Sequence, residues 1–146
     1  MSLQRRTPGR PRLVAGIGAV IALGGTLLPW WSVGGADGLP VRSGNAFDST
    51  GIIVFVAALA TIALLTLPYA SERPIVADRW PTHALIATVA WVAFVLRIVD
   101  LFLSRAFTFA QPSEAFTRAP GLWLTAVGLL ILARAVYDMA GAERRR

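Results

Sequence analysis

Four long runs of apolar residues alternate with short polar segments along the chain. The runs cover about residues 13–31, 51–69, 82–104 and 120–138. Each is close to the roughly 20 residues that an α-helix needs to cross a hydrocarbon core about 30 Å thick. Because lipid offers no hydrogen-bond partners, the backbone polar groups of such a run must pair within it. The pattern therefore predicts an all-α fold, a four-helix integral membrane bundle that forms a single domain over residues 1–146.

The arginines are distributed unevenly beside the four runs. Ten lie on one side of the predicted bundle: Arg5, Arg6, Arg10, Arg12, Arg73, Arg79, Arg134, Arg144, Arg145 and Arg146. Three lie on the other side: Arg42, Arg105 and Arg118. Since cytoplasmic loops carry an excess of basic residues, both termini are predicted to be cytoplasmic and loops 32–50 and 105–119 to lie outside. The first run is interpreted as a retained helix, although the arginines before it and residues 34–36 resemble a signal peptide.

Composition supports a membrane protein over a soluble one. Only 15% of residues are charged and 55% are hydrophobic, whereas soluble domains average about 25% charged. The net charge of +6 comes from fourteen basic residues, all of them arginine. Apart from Arg97, which lies inside the third run, these arginines lie at or near the ends of the apolar runs. They do not form one stripe with exposed aromatic residues, so they do not indicate nucleic-acid binding. The expected partner is the lipid bilayer, with no nucleic acid.

The residue types that carry most enzyme chemistry are scarce. The chain has no cysteine and one histidine, His83, which argues against a structural zinc site, a thiol nucleophile and a His-based triad. Asp37, Asp48 and Glu114 fall in predicted loops without a recognisable nucleophile, base and orienting group together. We therefore expect no enzymatic activity, no catalytic residue, no metal site and no cofactor.

The third run carries a polar stripe at helical spacing. Its members follow one another at intervals of three and four residues: His83, Ile86, Ala90, Ala93, Arg97, Asp100 and Ser104. Arg97 and Asp100 are three apart, so their side chains can meet on one helix face. An arginine at mid-membrane costs around 2.5–3.5 kcal/mol on insertion scales, which an ion pair with Asp100, or with Asp48 at the start of the second run, would offset. The pair is interpreted either as a structural clamp or as a functional site.

Two further groups of residues have predicted roles in the membrane. Aromatic residues at the ends of the runs are expected to anchor the protein at the membrane surfaces: Trp30, Trp31, Tyr69, Trp80 and Tyr137. Small residues at spacings of three and four are expected to let helices pack closely: Gly18, Ala22 and Gly25 in the first run and Gly128 in the fourth.

Several short motifs resemble those of a membrane protein family. They are Leu28–Val33 followed by Gly44, Phe47 and Asp48, then Leu96–Asp100, then Gly121–Leu124 with Gly128. Together they resemble small, uncharacterised four-helix integral membrane proteins common in actinobacteria. The resemblance implies a membrane location and four helices but supplies no activity; Pro29, Trp30, Asp48, Arg97 and Asp100 match its pattern. Relatives often have proline after the aspartate, whereas Leu101 follows here, which predicts a longer third helix.

Three functions are compatible with these patterns. The favoured hypothesis is a non-enzymatic packing, assembly or accessory subunit of a membrane complex in the bacterial plasma membrane, bound to a membrane-protein partner or to further copies of itself. The alternative is a small oligomeric transporter or channel that uses Arg97 and Asp100. A membrane enzyme is the third. A water-filled passage lined by the ion pair would favour transport, whereas a pair sealed between helices would favour packing.

Overall fold

The computed structural model describes residues 9–35, 38, 40–70, 79–106 and 113–144. This part of the chain forms five α-helices: α1 (Arg10–Leu27), α2 (Gly51–Ala70), α3 (Trp80–Leu103), α4 (Glu114–Arg118) and α5 (Pro120–Glu143). Some residues used in the sequence predictions lie outside the described residues: Arg5, Arg6, Asp37, Arg73, Arg145 and Arg146.

The four long helices pack in a ring, in the order α1, α2, α3, α5 and back to α1. Neighbours in the ring run antiparallel, so that α1 begins and α5 ends at one end of the bundle. We call this the termini end. The opposite end, where α1 is followed by a short β-hairpin, is the hairpin end. The predicted all-α class is confirmed, with the small sheet as an addition.

Three of the helices are long and apolar enough to cross a membrane: α2, α3 and α5. The shorter α1 does not belong to this set because Arg10, Pro11 and Arg12 occupy its first turn. Its apolar stretch is reduced to about 15 residues, or roughly 22 Å at 1.5 Å per residue. By length and composition, the described residues therefore support a multi-pass membrane protein with three spanning helices.

The first helix ends earlier than its apolar run predicted. Pro29 disfavours a helical conformation at the residue before it, and Leu28 accordingly has extended backbone, with φ −83° and ψ 161°. α1 therefore stops at Leu27, and Trp31 belongs to a β-strand instead of a helix. The predicted span of residues 13–31 is wrong at this end.

The predicted outer loop 32–50 contains regular structure. Strands β1 (Trp31–Val33) and β2 (Arg42–Gly44) form an antiparallel pair in which Trp31 faces Gly44 and Val33 faces Arg42. A 3₁₀ helix follows at Ala46–Asp48, capped by the Asn45 side chain, which accepts a hydrogen bond from Phe47 N at 3.0 Å. Three-residue strands are too short to show an alternating pattern, so the sequence did not reveal the hairpin.

The third helix ends in a Schellman motif. The N–H of Ala106 donates to the carbonyl of Leu101 at 3.1 Å, and the N–H of Arg105 donates to that of Phe102 at 3.2 Å. Arg105 has φ 55°, the left-handed conformation that this motif requires and that glycine usually supplies. The motif ends α3 at Leu103, so the chain after Asp100 continues the helix for only three residues.

Candidate functional site

An ion pair lies on α3 near the hairpin end. Arg97 Nη1 donates a hydrogen bond to Asp100 Oδ2. Arg97 is six residues before the last residue of α3, roughly 9 Å from that end of the helix. The two side chains differ in environment, because Arg97 is 6% exposed whereas the Asp100 side chain is 53% exposed. The pair therefore has its cation inside the protein and its carboxylate on the outer surface.

The buried guanidinium is only partly satisfied by the residues that the structure describes. Arg97 Nε has no hydrogen-bond partner among them, although a guanidinium carries five N–H donors. Leaving a buried charge without its counter-ion costs several kcal/mol, so the contact with Asp100 is what makes the position of Arg97 tolerable. This arrangement provides electrostatic anchoring of Arg97 by Asp100.

Asp48, the other partner predicted for Arg97, lies apart from the pair. It sits in the 3₁₀ helix at the hairpin, is exposed, and forms no ion pair with Arg97. Its carboxylate lies beside Gly44, where it helps to line a small pocket of about 210 Å³. Trp31 Nε1 lies beside the same glycine, buried and without a hydrogen-bond partner in the described part of the chain. The structure therefore does not pair Asp48 with Arg97, which was the alternative ion pair that the sequence suggested.

Trp30 is buried completely inside the bundle. Its exposed fraction is 0%, and its indole N–H donates to the carbonyl of Gly25 at 2.9 Å. That carbonyl belongs to the last turn of α1. In a continuous helix it would accept a hydrogen bond from the N–H of residue 29, but residue 29 is proline and has no N–H. Trp30 thus closes the end of α1 from inside the bundle, which corrects its predicted role as an interfacial anchor.

The other predicted aromatic anchors lie nearer the surface. Trp31 is half-buried at the hairpin end. Tyr69, near the end of α2, is exposed, and Trp80, at the start of α3, is half-buried. Tyr137 on α5 is 72% exposed, and the Arg134 guanidinium lies 5.7 Å from its ring centroid. Tyr69, Trp80 and Tyr137 all belong to the termini end, where rings with a polar tip can lie between lipid and water.

The small residues of α1 and α5 bring the two backbones together. A Cβ atom built on Gly18 would lie 2.7 Å from Leu132 N, and one built on Gly121 would lie 2.6 Å from Gly25 O. One built on Gly128 would lie 2.7 Å from Ala22 Cα. These distances are below any real Cβ contact, so α1 and α5 approach as closely as they do only because these positions lack side chains.

The ends of α1 and α5 also hydrogen-bond to each other. The N–H of Gly121, in the first turn of α5, donates to the carbonyl of Pro29 at 2.9 Å. The backbone N–H groups in the first turn of a helix have no acceptor within the helix. This bond supplies an acceptor from the segment that follows α1. The contact joins the start of α5 to the hairpin end of α1.

The sequence did not reveal a groove between α3 and α5. It lies at the termini end, has a volume of about 1100 Å³, and is lined by Trp80–Val92 on α3 and Ala133–Arg144 on α5. At its inner limit the indole N–H of Trp91 donates to the carbonyl of Leu129 at 3.3 Å. The alanines along both walls were the feature of the sequence that could have indicated a groove. Small residues equally predict close packing of two helices, so they did not distinguish the two outcomes.

Among the described residues, no group of three His, Cys, Asp or Glu side chains is placed to hold a metal ion. His83 is buried near the start of α3. Neither the α3/α5 groove nor the small pocket at the hairpin is lined by Arg97 or Asp100.

The helices and their exposed apolar faces define a multi-pass helical membrane protein by length and composition. No family model matches this chain, no curated protein is significantly similar to it, and no solved structure matches it.

Proposed function

We propose that this chain is a non-enzymatic accessory or assembly subunit of a membrane complex in the bacterial plasma membrane. In this proposal it is a four-helix integral bundle, as the family resemblance also implies, and the distribution of arginines places both termini in the cytoplasm. The observation that carries the proposal is the divided ion pair on α3, in which Arg97 is buried and Asp100 faces outward.

Packing against α5 supports α1 as a fourth membrane helix. α5 is long and apolar enough to span, and α1 runs antiparallel to it from Gly18 opposite Leu132 to Gly25 opposite Gly121. A helix held in backbone contact with a spanning helix shares its depth in the bilayer. Its own apolar stretch is short, but the segment after Leu27 continues inside the bundle through the buried Trp30.

The surroundings of Asp100 support a protein partner. Its outward neighbours on α3 are the exposed apolar side chains of Leu96, Val99 and Leu103. A carboxylate set in an apolar helix face is costly in lipid, and a partner helix that carries an arginine, a lysine or a hydroxyl donor would reduce that cost. The predicted partner is thus a membrane protein with a hydrogen-bond donor at this depth.

The test is co-purification from native membranes. A tagged full-length chain is cross-linked, extracted in mild detergent and compared with the variant Arg97→Leu/Asp100→Leu, which removes both charges and strands neither. We expect a stoichiometric membrane partner with the native chain and a loss of roughly tenfold or more with the double variant, since removing the Asp100 carboxylate leaves the partner's buried donor unpaired. Asp138→Asn, which alters the ion pair at the termini end, is the matched control and should retain the partner.

Two results would contradict the proposal. The first is a chain that elutes alone, at the mass of one copy, from membranes in which cross-linking is efficient. The second is ion or solute flux through liposomes that contain only this protein, abolished by the double variant; that result would favour the oligomeric transporter or channel.

A further inference from the structure

We propose that the groove between α3 and α5 binds one anionic phospholipid, with an acyl chain along its walls and the phosphate held by Arg134 and Arg144. This inference goes beyond the accessory function, because it concerns the termini end of the bundle and requires no protein partner. It follows from the length of the groove, the chemistry of its walls and the position of its charges.

The length of the groove matches one leaflet of a bilayer. Its wall on α3 runs from Trp80 to Val92 and its wall on α5 from Ala133 to Arg144, which at 1.5 Å per residue is roughly 16–18 Å. Half of a hydrocarbon core about 30 Å thick is about 15 Å. A lipid of one leaflet, whose acyl chain covers half of the core, matches this length.

The walls of the groove suit an acyl chain. They are formed largely by small and apolar side chains: Ala84, Ala87, Val92, Ala133, Val136 and Ala140. The contact of Trp91 with Leu129 closes the deep limit of the groove. Because alanine side chains leave room between the two helix backbones, the space of about 1100 Å³ is open to a flexible chain from the side.

The charges lie where a phosphate would be. Arg134 Nη2 is 3.2 Å from Asp138 Oδ1, so its guanidinium reaches one turn toward the termini end. The Arg134 side chain nevertheless remains 69% exposed. A guanidinium offers several donors in a fork that matches phosphate oxygens. Among the lining residues that the structure describes, two arginines, Arg134 and Arg144, outnumber the one carboxylate, Asp138, so this lining carries a net positive charge.

Aromatic side chains mark the same level of the bilayer. Trp80 lines the groove at the first residue of α3, and Tyr137 lines it near the end of α5. Tyrosine and tryptophan concentrate at the level of lipid headgroups. Trp80, Arg144 and the mouth of the groove therefore lie at the depth where the phosphate of a lipid in that leaflet would be, and Arg134, ten residues before Arg144 on α5, reaches toward that level from deeper in the groove.

The test uses native mass spectrometry of the purified full-length chain. The chain is mixed with phosphatidylglycerol and phosphatidylcholine of the same acyl chains at equal concentration. We expect one phosphatidylglycerol to be retained per chain in preference to phosphatidylcholine. Arg134→Gln/Arg144→Gln should lower the retention of phosphatidylglycerol by roughly tenfold or more without changing that of phosphatidylcholine.

Matched variants separate a built site from general attraction of charges. Arg42→Gln/Arg118→Gln removes two arginines from the hairpin end, including one that pairs with Glu114 at 3.6 Å, and should leave lipid retention unchanged. Ala133→Phe should fill the groove and release both lipids, whereas Ala63→Phe, on the exposed surface of α2, should not. Melting curves confirm that each variant is folded.

Three outcomes would overturn the inference. The first is equal retention of the two lipids by the native chain. The second is an equal loss of phosphatidylglycerol with both arginine pairs, which would indicate diffuse electrostatic attraction. The third is a dimer that Ala133→Phe dissociates, which would show that a second copy of the chain occupies the groove.

Discussion

Trp30 and Phe94 meet edge to face, with ring centroids 5.6 Å apart and ring planes at 78°. The contact joins the segment after α1 to α3, two elements that are not neighbours in the ring of helices. Phe94 makes a second edge-to-face contact with Trp91 at 5.8 Å. Aromatic pairs of this geometry contribute about 0.5–1.5 kcal/mol beyond the area they bury. Trp30 therefore holds the hairpin end of the bundle together from inside.

Replacing Trp30 should destabilise the protein far more than replacing an exposed aromatic residue. Trp30→Phe keeps most of the volume but loses the bond to Gly25, at a cost of about 1–2 kcal/mol. Trp30→Ala also leaves a cavity, at a cost of about 3–5 kcal/mol. Thermal melting in detergent measures both. Tyr137→Ala is the control and should fall within about 0.5 kcal/mol of the native chain; a Trp30→Ala variant as stable as this control would contradict the packing role.

The ion pair on α3 predicts an order of stabilities for three variants. Asp100→Leu should be the most damaging, because it leaves the buried Arg97 without its counter-ion, at a cost of about 3–5 kcal/mol. Arg97→Leu should be milder, since it leaves a carboxylate that is half-exposed. Arg97→Leu/Asp100→Leu should be the least damaging of the three because no charge is stranded.

Detergent melting curves of the three variants, measured side by side, decide the order. Asp138→Leu, which breaks the exposed pair with Arg134, supplies the comparison for an ion pair of little energetic value. If the double variant loses as much stability as either single variant, the two side chains are not energetically coupled and the pairing has no structural importance.

The contact between α1 and α5 predicts opposite effects for two glycine-to-alanine changes. Gly128→Ala places a methyl group against the backbone of Ala22 and should destabilise the bundle by about 1–3 kcal/mol through overpacking. Gly24→Ala meets nothing within 4 Å and should be neutral or stabilising by up to about 1 kcal/mol, because alanine favours the helix. Melting temperatures of the two variants in the same detergent test this, and a Gly128→Ala protein as stable as Gly24→Ala would exclude the close approach.

Accessibility of single cysteines tests the number of membrane crossings. The native chain has no cysteine, so Gly9→Cys, Ser43→Cys and Ala142→Cys each provide one thiol, at exposed positions. With four crossings and cytoplasmic termini, an impermeant maleimide should label only Ser43→Cys in intact cells. The other two should be labelled after the membrane is opened.

The result for Gly9→Cys distinguishes four crossings from three. If α1 does not cross, residue 9 shares the side of the hairpin, and Gly9→Cys is labelled in intact cells together with Ser43→Cys. Labelling of both Gly9→Cys and Ala142→Cys without Ser43→Cys would instead reverse the predicted orientation of a chain with four crossings, and labelling of Ala142→Cys alone would reverse it for three crossings. These results depend only on the side of each thiol and not on the packing of the bundle.

The sequence by itself determined the features that depend on local composition and helical period. Lipid offers no hydrogen-bond partners, so a run of apolar residues must form a helix in which its backbone groups pair with one another. The helices α2, α3 and α5 lie within a few residues of the predicted ranges, except that α5 continues to Glu143. The spacing of three between Arg97 and Asp100 placed both on one helix face, where the structure pairs them. These features follow from the geometry of a single helix, which repeats along the chain regardless of its neighbours.

Only the tertiary structure decided which surfaces face each other and which remain open. The position of Trp30 at the end of the first apolar run predicted a place at the membrane surface, but the fold turns its indole into the bundle toward Gly25 and Phe94. The small residues predicted to pack closely, Gly18 and Gly128 among them, do bring α1 and α5 together. The helices α3 and α5 instead leave a groove between them, although alanines line both of its walls. The spacing of residues along one helix defines its faces, but the angle at which two helices meet depends on contacts between distant parts of the chain, and that angle decides whether small residues form a seam or a cavity.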